Sequence, residues 1–223
     1  DESGTTDTFT IVLDAQPASD VVLTISSNDT GETTTTGTLT FTSANWDTAQ
    51  TVTVTGADDF ILDGNQSSVI TISIIDAISD NSFDSVADQT VSATTTDDDV
   101  AGFTIVESDG STEVAESGTT DTFTVVLDAQ PASDVVLTIT SDDTGEATVN
   151  SPLTFTPANW DTPQTITVTG VDDDIIDGTA TSTITVSVVD ASSNDDFDSV
   201  VDQTVSVTTT DDDVAGFTIV ESD

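Results

Sequence analysis

The residues able to do chemistry in this chain are almost all carboxylates, and they come in runs. Asp97-Asp98-Asp99, Asp172-Asp173-Asp174 and Asp211-Asp212-Asp213 are the densest, and Glu2, Asp58, Asp59, Asp63, Glu116 and Asp177 recur around them. The 223 residues include 43 Asp and Glu and no Lys, Arg, His or Cys, which gives a formal net charge of −43. No salt bridge between side chains can form. Carboxylates clustered without a basic neighbour stay ionised at close range only when a cation joins them. Calcium suits such a site, because it takes about six to eight oxygen ligands in flexible geometry, whereas the usual zinc and copper ligands are missing.

The same composition removes whole classes of function. Binding to a nucleic-acid backbone rests on Lys and Arg neutralising phosphates, so nucleic acid is excluded as a partner. Anionic membrane surfaces are disfavoured for the same reason. Triad catalysis has no players, since a Ser nucleophile would find no His or Lys base. Two carboxylates can cleave a glycoside when an apolar pocket keeps one protonated, but these acids lie in polar runs that occur twice in the chain. The reading is therefore non-enzymatic.

Elements must position these acids, and the pattern for them is plain. Apolar residues make up 35% of the chain, enough to fold despite the charge. Sliding the sequence on itself brings Trp46 onto Trp160, Gly4 onto Gly118, Gly56 onto Gly170 and Asp97 onto Asp211 at an offset of 114 residues, and 81 of the 109 comparable positions are identical. A period this long is a whole domain. Residues 1–99 read as one module without its opening strand, 100–213 as a complete one, and 214–223 as the first strand of a following module. In the second repeat Phe123, Val125 and Leu127, then Val135, Leu137 and Ile139, alternate with Thr, as half-buried strands require. Strands are predicted at 102–107, 121–127, 134–140, 152–156, 164–169, 182–189 and 204–209. Seven short strands rich in Thr and Val predict an all-β chain of tandem immunoglobulin-like antiparallel β-sandwich modules. No apolar run approaches the roughly 20 residues needed to span a bilayer. With no signal-peptide pattern and Asp1 in place of Met, the sequence reads as mature or excerpted material.

Strand parity predicts where the acids go. Successive loops of a sandwich fall at opposite ends, so the loops after the first, third and fifth strands share one pole with the exit of the seventh. That pole collects Glu116, then Asp142, Asp143 and Glu146, then Asp172, Asp173, Asp174 and Asp177, and finally Asp211, Asp212 and Asp213. In the first repeat it collects Glu2, Asp29, Glu32, Asp58, Asp59, Asp63, Asp97, Asp98 and Asp99.

The stretches V-A-E-S-G-T-T-D-T-F-T (114–124) and F-T-P-A-N-W-D-T-P-Q-T-I-T-V-T-G-V-D-D-D (155–174), with the closing D-D-D of 211–213, resemble Calx-beta domains and the Calx-beta-like repeats of large bacterial surface proteins. The resemblance spans nearly all of each repeat. It implies calcium held by a Glu before the second strand, by acids after the fifth and by the run leaving the last. These are Glu116, Asp172–Asp174 and Asp211–Asp213, and in the first repeat Glu2, Asp58, Asp59 and Asp97–Asp99. Phe60 stands where the second repeat has Asp174, which implies fewer ions there.

The function expected from this is a structural calcium-binding repeat of an extracellular or cell-surface fibre or biofilm-matrix filament, stiffened by calcium at its junctions. Its partners are copies of itself, arranged head to tail. The alternative is the stalk of a large calcium-dependent adhesin. Residues 216–221 repeat 102–107 without change, which fits either an excerpt of a longer continuous repeat chain or subunits that join head to tail by donating this strand to a neighbour's sandwich. The sequons at Asn28 and Asn65 permit N-glycosylation in a secretory setting. Trp46 and Trp160 read as packing residues rather than a sugar platform.

Overall fold

Alternation of side chains is the organising fact of the structure, a computed structural model that describes residues 1–221. Val21, Leu23 and Ile25 point inward and are buried, while Val22 and Thr24 between them are half-exposed. Period-2 patterning of this kind stabilises a strand only when a second apolar layer covers its inner face.

The chain divides into two compact units, Asp1–Asp99 and Val100–Asp223. Unit 1 contains β1 (Thr6–Ile11), β2 (Val21–Ser27), β3 (Thr33–Thr35), β4 (Thr38–Phe41), β5 (Gln50–Gly56), β6 (Gln66–Ile74) and β7 (Gln89–Thr95). They form a β1-β5-β3 sheet and a β4-β2-β6-β7 sheet. Unit 2 contains β8 (Phe103–Glu107), β9 (Thr112–Ala115), β10 (Thr120–Leu127), β11 (Val135–Ser141), β12 (Ala147–Val149), β13 (Leu153–Phe155), β14 (Gln164–Gly170), β15 (Ala180–Val188) and β16 (Gln203–Thr210). Its sheets run β12-β14-β10-β8 and β13-β11-β15-β16-β9. Phe123, Val125 and Ile166 from one layer and Leu137, Phe155 and Ile184 from the other are fully buried. Each such side chain contributes about 1.5–3 kcal/mol. The modules are all-β sandwiches.

Unit 2 has nine strands among the described residues, not seven, and one of its pairings is parallel. The two extra strands, β9 and β12, are each half of a crossing that changes sheets. β8 pairs antiparallel with β10; the chain then turns at Gly110, with φ +84°, and continues as β9 parallel to β16. Likewise β12 pairs with β14 and the following β13 with β11. Each of the two pairs makes a single crossing, so the alternation of loop ends is kept.

Residues 214–221 form no strand, and Phe217 and Ile219 are almost fully exposed. The opening-strand pattern is present there, but a strand needs a hydrogen-bonded neighbour, and no pairing involves these residues. Ser222 and Asp223, the end of the predicted strand segment, lie outside the described residues.

Candidate metal centre

The local fold of each unit brings a Glu into its acidic pole by close backbone contact. A side chain at Gly170 would put Cβ 2.1 Å from the Ala115 carbonyl oxygen, and one at Gly56 would lie 2.1 Å from that of Asp1. Only glycine lets the end of β14 or β5 approach so closely. The Glu116 amide donates to the Thr210 carbonyl at 3.1 Å, and the Glu2 amide to that of Thr96 at 3.1 Å. Glu116 and Glu2 are thereby held inward, each 1% exposed.

A second carboxylate fixes the loop opposite. Asp211 Oδ2 accepts from the Gly178 amide at 2.8 Å and its Oδ1 from the Asp213 amide at 2.8 Å. Asp97 does the same with Gly64 and Asp99, both at 2.8 Å. Gly64 and Gly178 have φ of +71° and +81°, where a side chain would be strained.

Among the described residues these constraints gather four groups of three carboxylates. In unit 2 they are Glu116–Asp211–Asp213 and Glu116–Glu146–Asp177; in unit 1, Glu2–Asp97–Asp99 and Glu2–Glu32–Asp63. The four groups correspond pairwise at the 114-residue offset, and one Glu is common to both groups of each unit. Within each group the potential ligand oxygens lie within 4.8 Å of one another. Calcium–oxygen distances of about 2.3–2.6 Å put two ligands of one ion no more than about 5 Å apart, so each group fits a single ion.

The electrostatics are those of an unneutralised cluster. Burial, then the charges of Asp97, Glu32, Asp59 and Asp63, pushes Glu2 up to about 7. Burial followed by Asp211, Asp173, Asp177 and Glu146 raises Glu116. Glu32, Asp99, Glu146 and Asp213 are raised in the same way, burial first and neighbouring acids second. Asp211 is lowered, because the Gly178 and Asp213 amides donate to it. The buried atoms Glu2 Oε2, Glu32 Oε2, Glu116 Oε2, Glu146 Oε2 and Asp213 Oδ2 have no hydrogen-bond partner. Buried carboxylate oxygens are normally satisfied, so these orphans fit a site for a cation.

Of the residues expected from sequence, Glu2, Asp63, Asp97, Asp99, Glu116, Asp177, Asp211 and Asp213 are in these groups. Asp59 and Asp173 flank them, raising Glu2 and Glu116 by charge. Asp58 and Asp98 help to raise Asp99 by charge, and Asp174 and Asp212 help to raise Asp213. Asp172 is exposed and joins no group. At the Phe60 position unit 1 has no counterpart of the Asp174 charge.

Parity predicts Glu32 and Glu146 at the pole without counting them as ligands, and the structure brings both into the carboxylate groups. Their signal was the G-E pair at the start of β3 and β12, whose carbonyls accept from the Ala57 and Val171 amides at 2.8 and 2.9 Å. Asp142 behaves otherwise. Its Oδ1 accepts from the Thr183 amide at 2.7 Å, the same bond that neutral Asn28 makes with Val69. That role needs no charge.

No protein-family model and no curated protein matches the chain. Among solved structures it is similar to the S-layer protein SbsC, domains 4 and 5, at 18% identity and TM-score 0.40, over 84% of this chain and 70% of that one. It is similar to the apo-form Calx CBD1 domain at 17% identity and TM-score 0.36, over 50% of this chain and 98% of that one. A third likeness is to the calcium binding domain CBD12 of CALX1.1, at 13% identity and TM-score 0.33, over 82% and 73% of the two chains. With TM-scores below 0.5 these likenesses carry no argument, and the fold class rests on the strand pairings above.

Proposed function

We propose that this chain is a structural calcium-binding repeat of an extracellular fibre, in which calcium fills the acidic pole of each module. One observation carries the reading: Glu116 is 1% exposed, its Oε2 has no partner, and the other carboxylates of its two groups face it in a chain with no basic side chain. An uncompensated buried carboxylate is costly, and the cost is removed by a cation rather than by any residue present. Glu116 and Glu2 would each bridge two ions, with Asp211, Asp213, Glu146 and Asp177, or Asp97, Asp99, Glu32 and Asp63, completing the sets. Calcium supplies charge neutralisation and cross-linking of loops, and no reaction is involved.

Only Val100, Ala101 and Gly102 separate Asp99 from β8 in the sequence, so an ion that orders Asp97 and Asp99 would tie down the short link that leads to the next module. Such a tie would stiffen an array of modules outside the cell, where calcium is abundant. Thermal unfolding in calcium and in EDTA at matched ionic strength tests this. At a calcium concentration one hundred times the dissociation constant the folded state gains about 2.7 kcal/mol. Superimposable melting curves would refute the proposal.

A further inference from the structure

Unit 1 exposes a face that unit 2 covers. In unit 2, Phe123, Val125 and Leu127 of β10 and Ala129 beyond it are buried, and β8 pairs along β10 with Phe103 opposite Leu127. In unit 1 the counterparts Phe9, Ile11 and Leu13 are only half-buried and Ala15 is exposed. Among the described residues β1 pairs with β5 alone. Beside it runs a groove of about 680 Å³ lined by Ile11, Leu13, Leu23, Ile72, Ile74 and Phe83 among others. At the 114-residue offset Ile11 and Leu13 correspond to Val125 and Leu127, which lie opposite Ile105 and Phe103 of β8.

The same chain carries a strand that matches this groove. Residues 216–221 are identical to 102–107, which include β8, yet here they are unpaired, with Phe217, Ile219 and Val220 exposed. Residues 216–221 thus repeat the side-chain order of the strand that β10 has beside it, and among the described residues β1 has no such neighbour. We propose that residues 216–221 of one copy add to the β1 edge of a second copy, in the register that β8 takes on β10, so that copies join head to tail. Phe217 then lies opposite Leu13, Thr218 opposite Val12, Ile219 opposite Ile11 and Val220 opposite Thr10.

The polar contacts that fix β8 have counterparts in place. In unit 2 the Asp128 amide donates to the Gly102 carbonyl at 3.0 Å, Thr104 Oγ1 donates to Asp128 Oδ1 at 2.8 Å, and Gln203 Nε2 donates to the Phe103 carbonyl. Asp14 and Gln89 stand ready for Gly216, Thr218 and Phe217. Main-chain pairing at an open sheet edge supplies affinity, and alternate side chains entering the groove supply register. Because the strand and its receptor are different surfaces, the contact does not close on itself, and repetition builds a filament. The inference is independent of calcium.

The chain has no cysteine, so the register can be read by disulfide trapping between two single variants, Val12→Cys and Thr218→Cys, one of them isotope-labelled. Residues directly opposite in an antiparallel pair have Cα atoms about 4.5–5.5 Å apart, within disulfide reach. An equimolar mixture, oxidised gently, should give mixed dimers far in excess of either homodimer. In sedimentation the unmodified chain should form species at multiples of 22.9 kDa, in calcium and in EDTA alike. Phe217→Asp, at an exposed residue outside the folded core, should raise the concentration needed for assembly by at least about a hundredfold. A statistical distribution of cross-links, or a sedimenting monomer at all concentrations, would overturn the proposal. So would a Val12→Cys/Thr218→Cys double variant that closes only within one chain.

Discussion

Units 1 and 2 hold the same acidic groups on nearly the same sequence, yet bury the same strand to different depths. Glu2 and Glu116 are equally sequestered, each 1% exposed, while Phe9 is half-buried and Phe123 is not exposed at all. The pole is built from loops that each unit supplies for itself. The sheet edge at β10 is covered by β8, whereas among the described residues β1 pairs with β5 alone. The comparison teaches that local loop geometry sets the carboxylate cluster, whereas burial of β1 or β10 is set by whatever covers it.

The largest expected effect separates the two cores. Phe123→Ala should cost about 3–5 kcal/mol, as for a buried aromatic residue, and Phe9→Ala only about 1–2 kcal/mol, since part of its surface already meets water. Each unit has a single tryptophan, Trp46 or Trp160. Urea unfolding followed by Trp160 in a Trp46→Phe background, and the reverse, reads each unit alone. Equal costs would mean that β1 is covered in solution as β10 is.

A smaller effect concerns pH without calcium. Glu2 is raised from 4.5 to about 7 on folding, so it holds its proton more tightly in the folded state. The stability this gives is fully present below pH 4.5 and is lost as pH rises toward about 7. In EDTA, unit 1 should therefore melt lower at pH 8 than at pH 5, and Glu2→Gln should flatten that dependence. A melting temperature that rises with pH over this interval would contradict the burial assigned to Glu2.

The smallest effect lies at a position where the units differ. Asp80 takes hydrogen bonds from the Ser82 hydroxyl at 2.7 Å and from the Ser82, Ser19 and Ala18 amides at 2.7–2.9 Å, which hold it well below its usual 3.8. Its counterpart in unit 2 is Asn194, whose Oδ1 accepts from the Asp196 amide at 3.0 Å. A carboxylate with a depressed folded value contributes stability above its unfolded value that fades as pH falls below it. Asp80→Asn should remove that contribution, so that unit 1 is less stable at pH 7 and less sensitive to acid below pH 3.8. Acid titrations of the Trp46 signal that superimpose for both proteins would remove this distinction between the units.

Much of this was legible in the sequence because period-2 alternation and the 114-residue repeat are both strong signals. Alternation marked β10, β11, β14, β15 and β16, and parity carried Glu116, Glu146, Asp177 and Asp211 to one end. What escaped was short or unpatterned. β9 and β12 have four and three residues, too few to show alternation, and the Ser-Asp-Gly-Ser bend before β9 reads as an ordinary turn. Within the acidic runs, spacing alone could not separate Asp211 and Asp213, which are in the groups, from Asp212 between them, which is exposed and in neither.

Isothermal calorimetry of calcium binding to the 223-residue chain, Glu2→Gln and Glu116→Gln tests the central claim most directly. Gln keeps the shape of the bridging residue and removes the charge both groups share. Each substitution should abolish binding in its own unit, removing about half of the sites and leaving the rest with unchanged affinity, because the other unit supplies its own ligands. Binding of the full number of ions to Glu2→Gln or Glu116→Gln with unaltered affinity, or no heat of binding to the unmodified chain, would contradict it.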